Sequence, residues 1–167
     1  MMTAVITNAF SIQLNLGGRF LNKRIFLAAP FKQLMTAEQV IDSENKNLIN
    51  RMIDLLESHH FVVDNAHKRE DWGKNMMTPN QCTQADFQAI KNCQLFMAFP
   101  GTPASPGTHI EIGWASAFEK PIVLLLQKET TYAYLVSGLG AIGNVKYLYY
   151  EDTADCLLQI QHFLNQY

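Results

Sequence analysis

Residues 105–114, SPGTHIEIGW, combine a turn of small residues with a carboxylate about one helical turn further on. The segment follows an apolar run that is typical of a buried strand, and its second half is typical of a helix. Because the first turn of a helix leaves backbone N–H groups without partners, Ser105, Gly107 and Thr108 could bind an anion such as a phosphate. The carboxylate of Glu111 could stabilise or capture an oxocarbenium-like sugar. This pattern suggests chemistry on a phosphorylated sugar, with Glu111 as nucleophile.

The same residues also fit a purely structural role. A glutamate in the first turn favours the helix dipole and can contact water alone, while Ser105 and Thr108 fit an ordinary turn and helix cap. His109 could lend positive charge to an anion, but a packed or solvated histidine is the simpler interpretation. We favour the site, because the predicted fold puts this turn where sheets of that kind bind ligands.

Two further segments carry candidate binding residues. Phe31 and Lys32 directly follow the first predicted strand, and an aromatic ring beside a cation suits a base and a carbonyl or phosphate. A residue on the core rim and a solvated lysine are the alternative. Residues 65–73, NAHKREDWG, predict a polar loop in which His67 and Trp72 could line the site and exclude water. We expect the charged residues between these two to be solvated.

Asp86 lies in the predicted helix that precedes the third strand. The neighbouring Phe87, Ile90 and Cys93 fit a core-facing stripe. An acid beside a buried face could hold a leaving base or a sugar hydroxyl, and a raised pKa would suit proton donation. The spacing by itself favours an exposed helical aspartate.

Strand and helix patterns alternate along the chain after residue 23. The strand patterns lie at residues 24–29, 61–64, 95–99, 121–126 and 145–150. The helix patterns lie at residues 37–58, from residue 78, from about residue 108, at 132–139 and at 153–165. Near-continuous apolar strands joined by helices predict an α/β fold with a doubly wound, five-stranded parallel sheet in the flavodoxin-like order 2-1-3-4-5 and helices on both faces.

The switch point of this strand order lies between strands one and three, where ligands bind beyond the carboxyl ends. The order therefore brings the loop at residues 30–33 next to the loop at residues 101–107. Residues 24–167 predict a single domain. Residues 1–23 show no clear period, so we interpret them as an N-terminal extension or flexible arm.

Composition excludes several classes of function. The chain has 167 residues, 48% of them hydrophobic, and a net charge of −2, which gives no electrostatic reason to expect a nucleic-acid partner. No apolar run approaches the ~20 residues of a membrane span, and no basic segment marks a signal peptide. The cysteines, Cys82, Cys93 and Cys156, are odd in number and lack metal-site spacing, so we expect reduced thiols and a cytoplasmic protein.

The chain resembles the nucleoside 2-deoxyribosyltransferase superfamily from about residue 24 to residue 150. The similarity is carried by RIFLAAPFK, by DFQAIKNCQLFMAFPGTPASPGTHIEIGWASAFEKPIVLL and by YLVSGL. Within the superfamily the chain is most similar to the N-glycosidases that hydrolyse CMP or 5-hydroxymethyl-CMP in mildiomycin- and blasticidin-type antibiotic pathways. The stretches NAHKREDWG, AFPGTPASPGTHIEIGWAS and LVSGL carry this closer similarity.

The resemblance implies roles for individual residues. The glutamate of the family's GxxxEIG element falls on Glu111 and implies the nucleophile. The serine six positions earlier falls on Ser105 and implies a 5′-phosphate contact, together with the Gly107 amide. The acid that opens the helix before strand three falls on Asp86 and implies a contact with sugar or base.

The resemblance also implies a base pocket and a partner subunit. Phe31 and Lys32 fall where the family shapes its base pocket. Ser137 matches a hydroxyl residue that reaches the phosphate in the neighbouring subunit, which implies a homodimer with shared sites. Two departures matter: Gln94 replaces an aspartate common among relatives, so no second acid is carried over there, and Lys32 replaces an arginine of some relatives, which leaves the base open.

The expected activity is hydrolysis of CMP or 5-hydroxymethyl-CMP to free base and ribose 5-phosphate through a covalent ribosyl ester of Glu111, with no metal or redox cofactor. Three alternatives stay open. One is a 2-deoxyribosyltransferase that exchanges bases on deoxynucleosides. Another is a glycosidase of a deoxynucleoside monophosphate or of NAD. The third is a non-catalytic nucleotide sensor.

Overall fold

The computed structural model of the chain describes residues 23–30, 43–101 and 105–167. Phe31 and Lys32 lie outside these ranges, as do the beginning of the first predicted helix and all but the last residue of the predicted extension. Within the described ranges, no helix is long and apolar enough to cross a membrane.

Five parallel strands form one sheet in the order β2-β1-β3-β4-β5, which confirms the predicted α/β fold and its strand order. The strands are β1 (Lys23–Ala28), β2 (Phe61–Asp64), β3 (Leu95–Ala98), β4 (Ile122–Gln127) and β5 (Val145–Tyr150). Each predicted strand therefore exists within one residue of its predicted bounds.

Six α-helices connect or follow the strands in the described chain. They are α1 (Ser43–Ser58), α2 (Ala66–Arg69), α3 (Pro79–Asn92), α4 (Pro106–Ala117), α5 (Tyr134–Ser137) and α6 (Thr153–Leu164). Single 3-10 turns follow α2 at Asp71–Gly73 and α5 at Leu139–Ala141. The predicted polar loop at residues 65–73 is therefore wrong in its secondary structure, because α2 and the first of these turns occupy most of it.

Hydrophobic side chains cover both faces of the sheet. In β1, Ile25 and Leu27 belong to the cluster with α1 and α6, whereas Phe26 and Ala28 belong to the cluster with α3 and α4. Burying a large apolar side chain stabilises a fold by roughly 1.5–3 kcal/mol, so these central strands anchor the molecule. The carboxyl ends of β1 and β3, where the site is predicted, thus stand on its best-packed part.

The helix before β3 has the predicted start but not the predicted position of its acid. Thr78 caps α3, its side chain and that of Gln81 form a capping box, and Pro79 is the first helical residue. Asp86 is the eighth residue of α3 rather than its opening acid, and it is buried. The expected exposed helical aspartate is therefore wrong, because α3 turns this position toward α4 rather than toward water. The predicted burial of Cys93 is confirmed.

Gln94 lies at the opposite end of the sheet from the candidate site. Its side-chain oxygen accepts a hydrogen bond from the backbone N–H of Arg24 at 2.7 Å, where β1 begins. This contact joins the amino ends of β1 and β3, so the residue that departs from the family pattern has a structural role here.

Candidate active site

The candidate site stands at the carboxyl ends of β1 and β3, the switch point of the sheet. Beyond the paired strands, the Phe99 N–H donates to the Ala28 carbonyl at 2.8 Å and extends their contact. Asn65 at the end of β2 donates from Nδ2 to the Leu27 carbonyl at 2.9 Å and caps α2 with its side-chain oxygen. These bonds hold the starts of the surrounding loops at one edge.

Ser105 starts α4 as its N-cap. Its Oγ accepts a hydrogen bond from the Thr108 N–H at 3.4 Å, Pro106 follows at the first helical position, and both Ser105 and Thr108 are buried. Because Oγ acts as the acceptor, the hydroxyl hydrogen of Ser105 can still be donated to a ligand. The Gly107 amide lies in the first turn of α4, where N–H groups have no intrahelical partner. This helix start has the donors that an anion needs.

His109 turns back onto its own helix start. Its Nδ1 lies 2.7 Å from the carbonyl oxygen of Ser105, so the ring donates to the backbone there. A packed histidine, the simpler of the two sequence interpretations, accounts for this contact.

Glu111 lies on the same helix as the turn, half-buried and beside a second carboxyl group. Burial, and after it the negative charge of Asp86, raises the pKa of Glu111 to about 8, although the positive charge of Arg69 opposes this rise. Within the described residues, no hydrogen bond is made to the Glu111 carboxylate. As far as the described part of the chain goes, this carboxyl group is therefore available to a ligand.

Asp86 is held near Glu111 by contact between α3 and α4. Phe87, its neighbour in α3, packs edge-to-face on Trp114, one turn beyond Glu111 in α4, with ring centroids 5.4 Å apart. Arg69 Nη2 donates to Asp86 Oδ1 at 2.6 Å. Burial raises the pKa of Asp86, and the hydrogen bond and charge of Arg69 oppose this rise.

Residues 65–73 contain a partner for the site that sequence reasoning missed. The charged residues of this segment were expected to be solvated, but Arg69 pairs with Asp86, and Glu70 is buried and accepts from the Met77 N–H at 3.1 Å. Lys68 and Asp71 match the expectation, since their side chains are each 49% exposed and pair with Glu57 and Lys74. The position of the segment directly after β2, at the carboxyl edge of the sheet, was the signal that could have identified it.

His67 and Trp72 stack on each other, with ring centroids 5.9 Å apart and planes inclined by 19°. His67 is fully buried beside Ala29 and Pro30 at the end of β1, and burial lowers its pKa to about 4, although the carbonyls of these two residues favour its protonated form. Trp72 is only partly buried, and Lys46 Nζ lies 5.2 Å from its ring centre. Trp72 therefore keeps part of its surface exposed, while its ring stacks on the buried His67.

Ser137 lies on a different element from the other candidate residues, the short helix α5 that follows β4. It is the last residue of α5, exposed, and its hydroxyl makes no hydrogen bond within the described chain. The structure therefore brings together Ser105, Gly107, Thr108 and Glu111 at the start of α4, with Asp86 on the neighbouring α3. Ser137 belongs to α5, whose Val136 lies in the same core cluster as Ile112 of α4. In the described ranges no group of three or more His, Cys, Asp or Glu residues could hold a metal ion.

Known proteins resemble this chain over most of its length. Residues 25–157 match a family model described as nucleoside 2-deoxyribosyltransferase. A structure of the Clostridium botulinum CMP N-glycosidase BcmB is 42% identical, with a TM-score of 0.68 over 84% of this chain and 99% of that one. The solution structure of BlsM is 40% identical, with a TM-score of 0.73 over 86% of this chain and 90% of that one.

A more distant likeness shows the fold alone. A 2-deoxyribosyltransferase from Bacillus psychrosaccharolyticus is 19% identical, with a TM-score of 0.54 over 79% of this chain and 88% of that one. A search of curated protein sequences finds no match.

Proposed function

The chain belongs to the nucleoside 2-deoxyribosyltransferase family, and we propose that within it the protein hydrolyses the N-glycosidic bond of a pyrimidine ribonucleoside 5′-monophosphate, CMP or 5-hydroxymethyl-CMP. One observation carries the proposal: Glu111, which accepts no hydrogen bond from the described residues and lies near Asp86, is about one turn from the N–H groups at the start of α4. The likeness at 42% identity to a protein described as a CMP N-glycosidase supports the choice of nucleotide.

The proposed reaction has two steps on the anomeric carbon. The Glu111 carboxylate forms a C–O bond to C1′ while the C1′–N1 bond breaks, and the electron pair leaves with the base, which takes up a proton. Water then adds its oxygen to C1′ and releases the Glu111 carboxylate and a proton, giving ribose 5-phosphate with retention at C1′. No oxidant, reductant or metal is needed for this balance.

Asp86 is the proposed contact for the sugar or the leaving base. One of its oxygens, Oδ1, is bonded to Arg69, while Oδ2 accepts no hydrogen bond within the described residues. Burial raises the pKa of Asp86, while the hydrogen bond and charge of Arg69 lower it. As the carboxylate of this ion pair, Asp86 can accept a hydrogen bond from a sugar hydroxyl or from an N–H group of the base.

The proposed phosphate site takes its hydrogen-bond donors from both subunits of a homodimer. Ser105, Gly107 and Thr108 supply donors from one subunit, and Ser137 supplies a hydroxyl from its partner. The surface around Ser137 supports this assembly, because Tyr134 and Leu135 are 91% and 87% exposed, which is unusual for apolar side chains in a lone protomer. Phe31, Lys32 and Trp72 are the proposed base contacts, and His67 supports Trp72.

The ionisation of Glu111 sets the expected pH dependence. The attacking group must be a carboxylate, but with a pKa of about 8 only roughly one empty site in ten carries it at pH 7. We therefore expect kcat/KM to rise about tenfold per pH unit below pH 8 and to level off above it.

A base-exchange activity is the second candidate, because the matching family model describes a transferase. A transferase would make a new nucleoside when a second base is present and would depend little on the 5′-phosphate. The buried, donor-rich start of α4 favours a phosphorylated substrate.

The decisive experiment is incubation of the protein with CMP, cytidine and deoxycytidine, followed by chromatography of free cytosine and ribose 5-phosphate. We expect base release from CMP, little from the unphosphorylated nucleosides, and a loss of at least about a thousandfold in Glu111→Ala. Undiminished turnover in that variant would remove Glu111 from the mechanism. Calorimetric binding of CMP without release of cytosine would identify a sensor instead. We also expect a cytoplasmic location, in keeping with cysteines that are free in the described residues.

A further inference from the structure

We propose that Arg69 is a positioning residue of this reaction: through its ion pair with Asp86 it sets the charge balance in which Glu111 acts. This inference rests on the proposed function for its kinetic part alone. The ion pair and its effect on Glu111 are properties of the protein that can be measured without any substrate.

Arg69 is fixed in place from both sides of its short helix. Its own N–H donates to the Asn65 carbonyl at 3.0 Å, and Asn65 in turn is bonded to the Leu27 carbonyl of β1. The next residue, Glu70, is buried and accepts the Met77 N–H at 3.1 Å. The backbone at Arg69 is therefore anchored to the sheet and to the segment before α3. It has little freedom to move so that the guanidinium could reach solvent.

The Arg69–Asp86 pair is largely out of water. The two side chains are 27% and 12% exposed, and their N–O distance is 2.6 Å. Arg69 Nε is buried and makes no hydrogen bond within the described residues. A buried donor without a hydrogen bond destabilises the fold. In return, the positive charge of Arg69 is little screened by water, so it acts on Asp86 and Glu111 more strongly than an exposed ion pair would.

The charges that face Glu111 come from two neighbouring elements. Asp86 on α3 disfavours the Glu111 carboxylate, and Arg69 on α2 favours it. Arg69 also favours the ionised form of Asp86. If Arg69 were neutral, both carboxyl groups would hold their protons to a higher pH, and fewer sites would carry the attacking carboxylate at a given pH.

The test compares Arg69→Met, Arg69→Lys and the double variant Arg69→Met/Asp86→Asn with the wild-type protein. Lys68→Met is the matched control, because it removes an adjacent positive charge that is exposed and paired with Glu57 rather than with the site. Two readouts are taken for each protein: the titration of the Glu111 side-chain carboxyl by carbon-13 NMR without substrate, and the pH profile of kcat/KM with CMP.

In Arg69→Met we expect the Glu111 titration and the rising limb of kcat/KM to move together to higher pH by about one unit or more. Arg69→Lys should restore most of the wild-type positions. The double variant, in which neither charge is present, should titrate at lower pH than Arg69→Met, and it guards against a single variant that fails to fold around an unpaired Asp86. Lys68→Met should leave both curves in place.

Lower thermal stability in Arg69→Met with an unchanged Glu111 titration would overturn the inference and reduce Arg69 to a structural residue. Failure of the wild-type protein to release base from CMP would refute the proposed function, but it would not affect the titration of Glu111 measured by NMR. A shifted titration would then still establish the role of Arg69 in the charge balance.

Discussion

The hydroxyl group of Tyr147 in β5 lies 3.0 Å from the carbonyl oxygen of Ser137 and 2.8 Å from the backbone nitrogen of Gly140. One side chain therefore accepts from the turn that follows α5 and donates to the end of α5 itself. Because α5 is a single helical turn, it has few internal bonds to hold it. Tyr147 thus fixes the surface that carries Ser137.

Tyr147→Phe should weaken phosphate recognition without harming the chemistry. Losing these hydrogen bonds frees the Ser137 segment, and we expect KM for CMP to rise about threefold to tenfold, the equivalent of one hydrogen bond, with kcat little changed. Tyr149→Phe is the control, since Tyr149 lies on the same strand and is half exposed. Equal KM values for the two variants would show that the Tyr147 hydroxyl has no part in substrate binding.

Mixed dimers test whether Ser137 acts on the partner's site. Ser137→Asp would place a carboxylate against the phosphate, and Glu111→Gln would remove the nucleophile, so each variant should be nearly inactive alone. In a 1:1 mixture that exchanges subunits, half of the dimers are mixed and each has one intact site, which should restore about a quarter of the wild-type activity. The measurement is CMP hydrolysis before and after the variants are mixed. No recovery, despite subunit exchange verified by mass spectrometry, would place Ser137 in the same subunit's site, and an active Ser137→Asp variant would place it outside any site.

Gly107→Ala tests whether glycine at this position is required for ligand binding rather than for folding. An added Cβ would meet Ser105 Oγ at 3.8 Å, an ordinary contact, so the protein itself does not require glycine there. We expect unchanged or slightly higher thermal stability and a weaker affinity for CMP, because a methyl group would face the phosphate. Gly113→Ala, which meets nothing within 4 Å, is the control and should keep the wild-type KM. Wild-type affinity in Gly107→Ala would argue that no anion approaches this amide.

Glu111→Gln should stabilise the protein increasingly as pH rises. The folded chain holds the Glu111 proton up to a pKa of about 8, whereas the unfolded chain releases it near 4.5, so the wild-type stability attached to this proton is fully present below pH 4.5 and is lost as pH rises through 8. Glutamine has no proton to lose. We expect little difference in the free energy of unfolding at pH 4.5 and an advantage of ~1–3 kcal/mol for the variant at pH 9.

Thermal unfolding of both proteins at pH 4.5, 7 and 9 measures this difference. A gap that stays constant across the three pH values would mean that Glu111 titrates normally, and that it does not lie in the desolvated setting described above.

The fold could be predicted nearly in full from the sequence, and for a clear physical reason. Strands such as Leu95–Ala98, buried on both faces, must be apolar throughout, and the Thr78-Pro79 start of α3 carries its cap in the residues themselves. Signals of this kind are local. The start of α4 was predicted two residues too late, near residue 108, although Ser105 and Pro106 are the cap and first-turn residue that mark it.

The electrostatic part of the site could not be predicted in the same way. Whether Asp86 faces water or Arg69 depends on how α3 and α2 pack, two elements separated by 17 residues at the contact. Arg69 and Lys68 are neighbours with the same charge, yet one is in the site and the other on the surface. Such a difference comes from tertiary contact, which residue spacing does not encode.

The central strands and α5 differ sharply in the number of buried contacts that stabilise them. The backbone beneath Glu111 is anchored to fully buried strands, whereas α5 is one turn long and presents Tyr134 and Leu135 to solvent. In native-state fluctuations, segments with few buried contacts open first and most often. The two parts of the proposed phosphate site should therefore differ in how often they open. Amides around α5 should exchange in deuterium oxide long before those of β1 and β3. Bound nucleotide should slow exchange around α5 and leave exchange in the two strands unchanged.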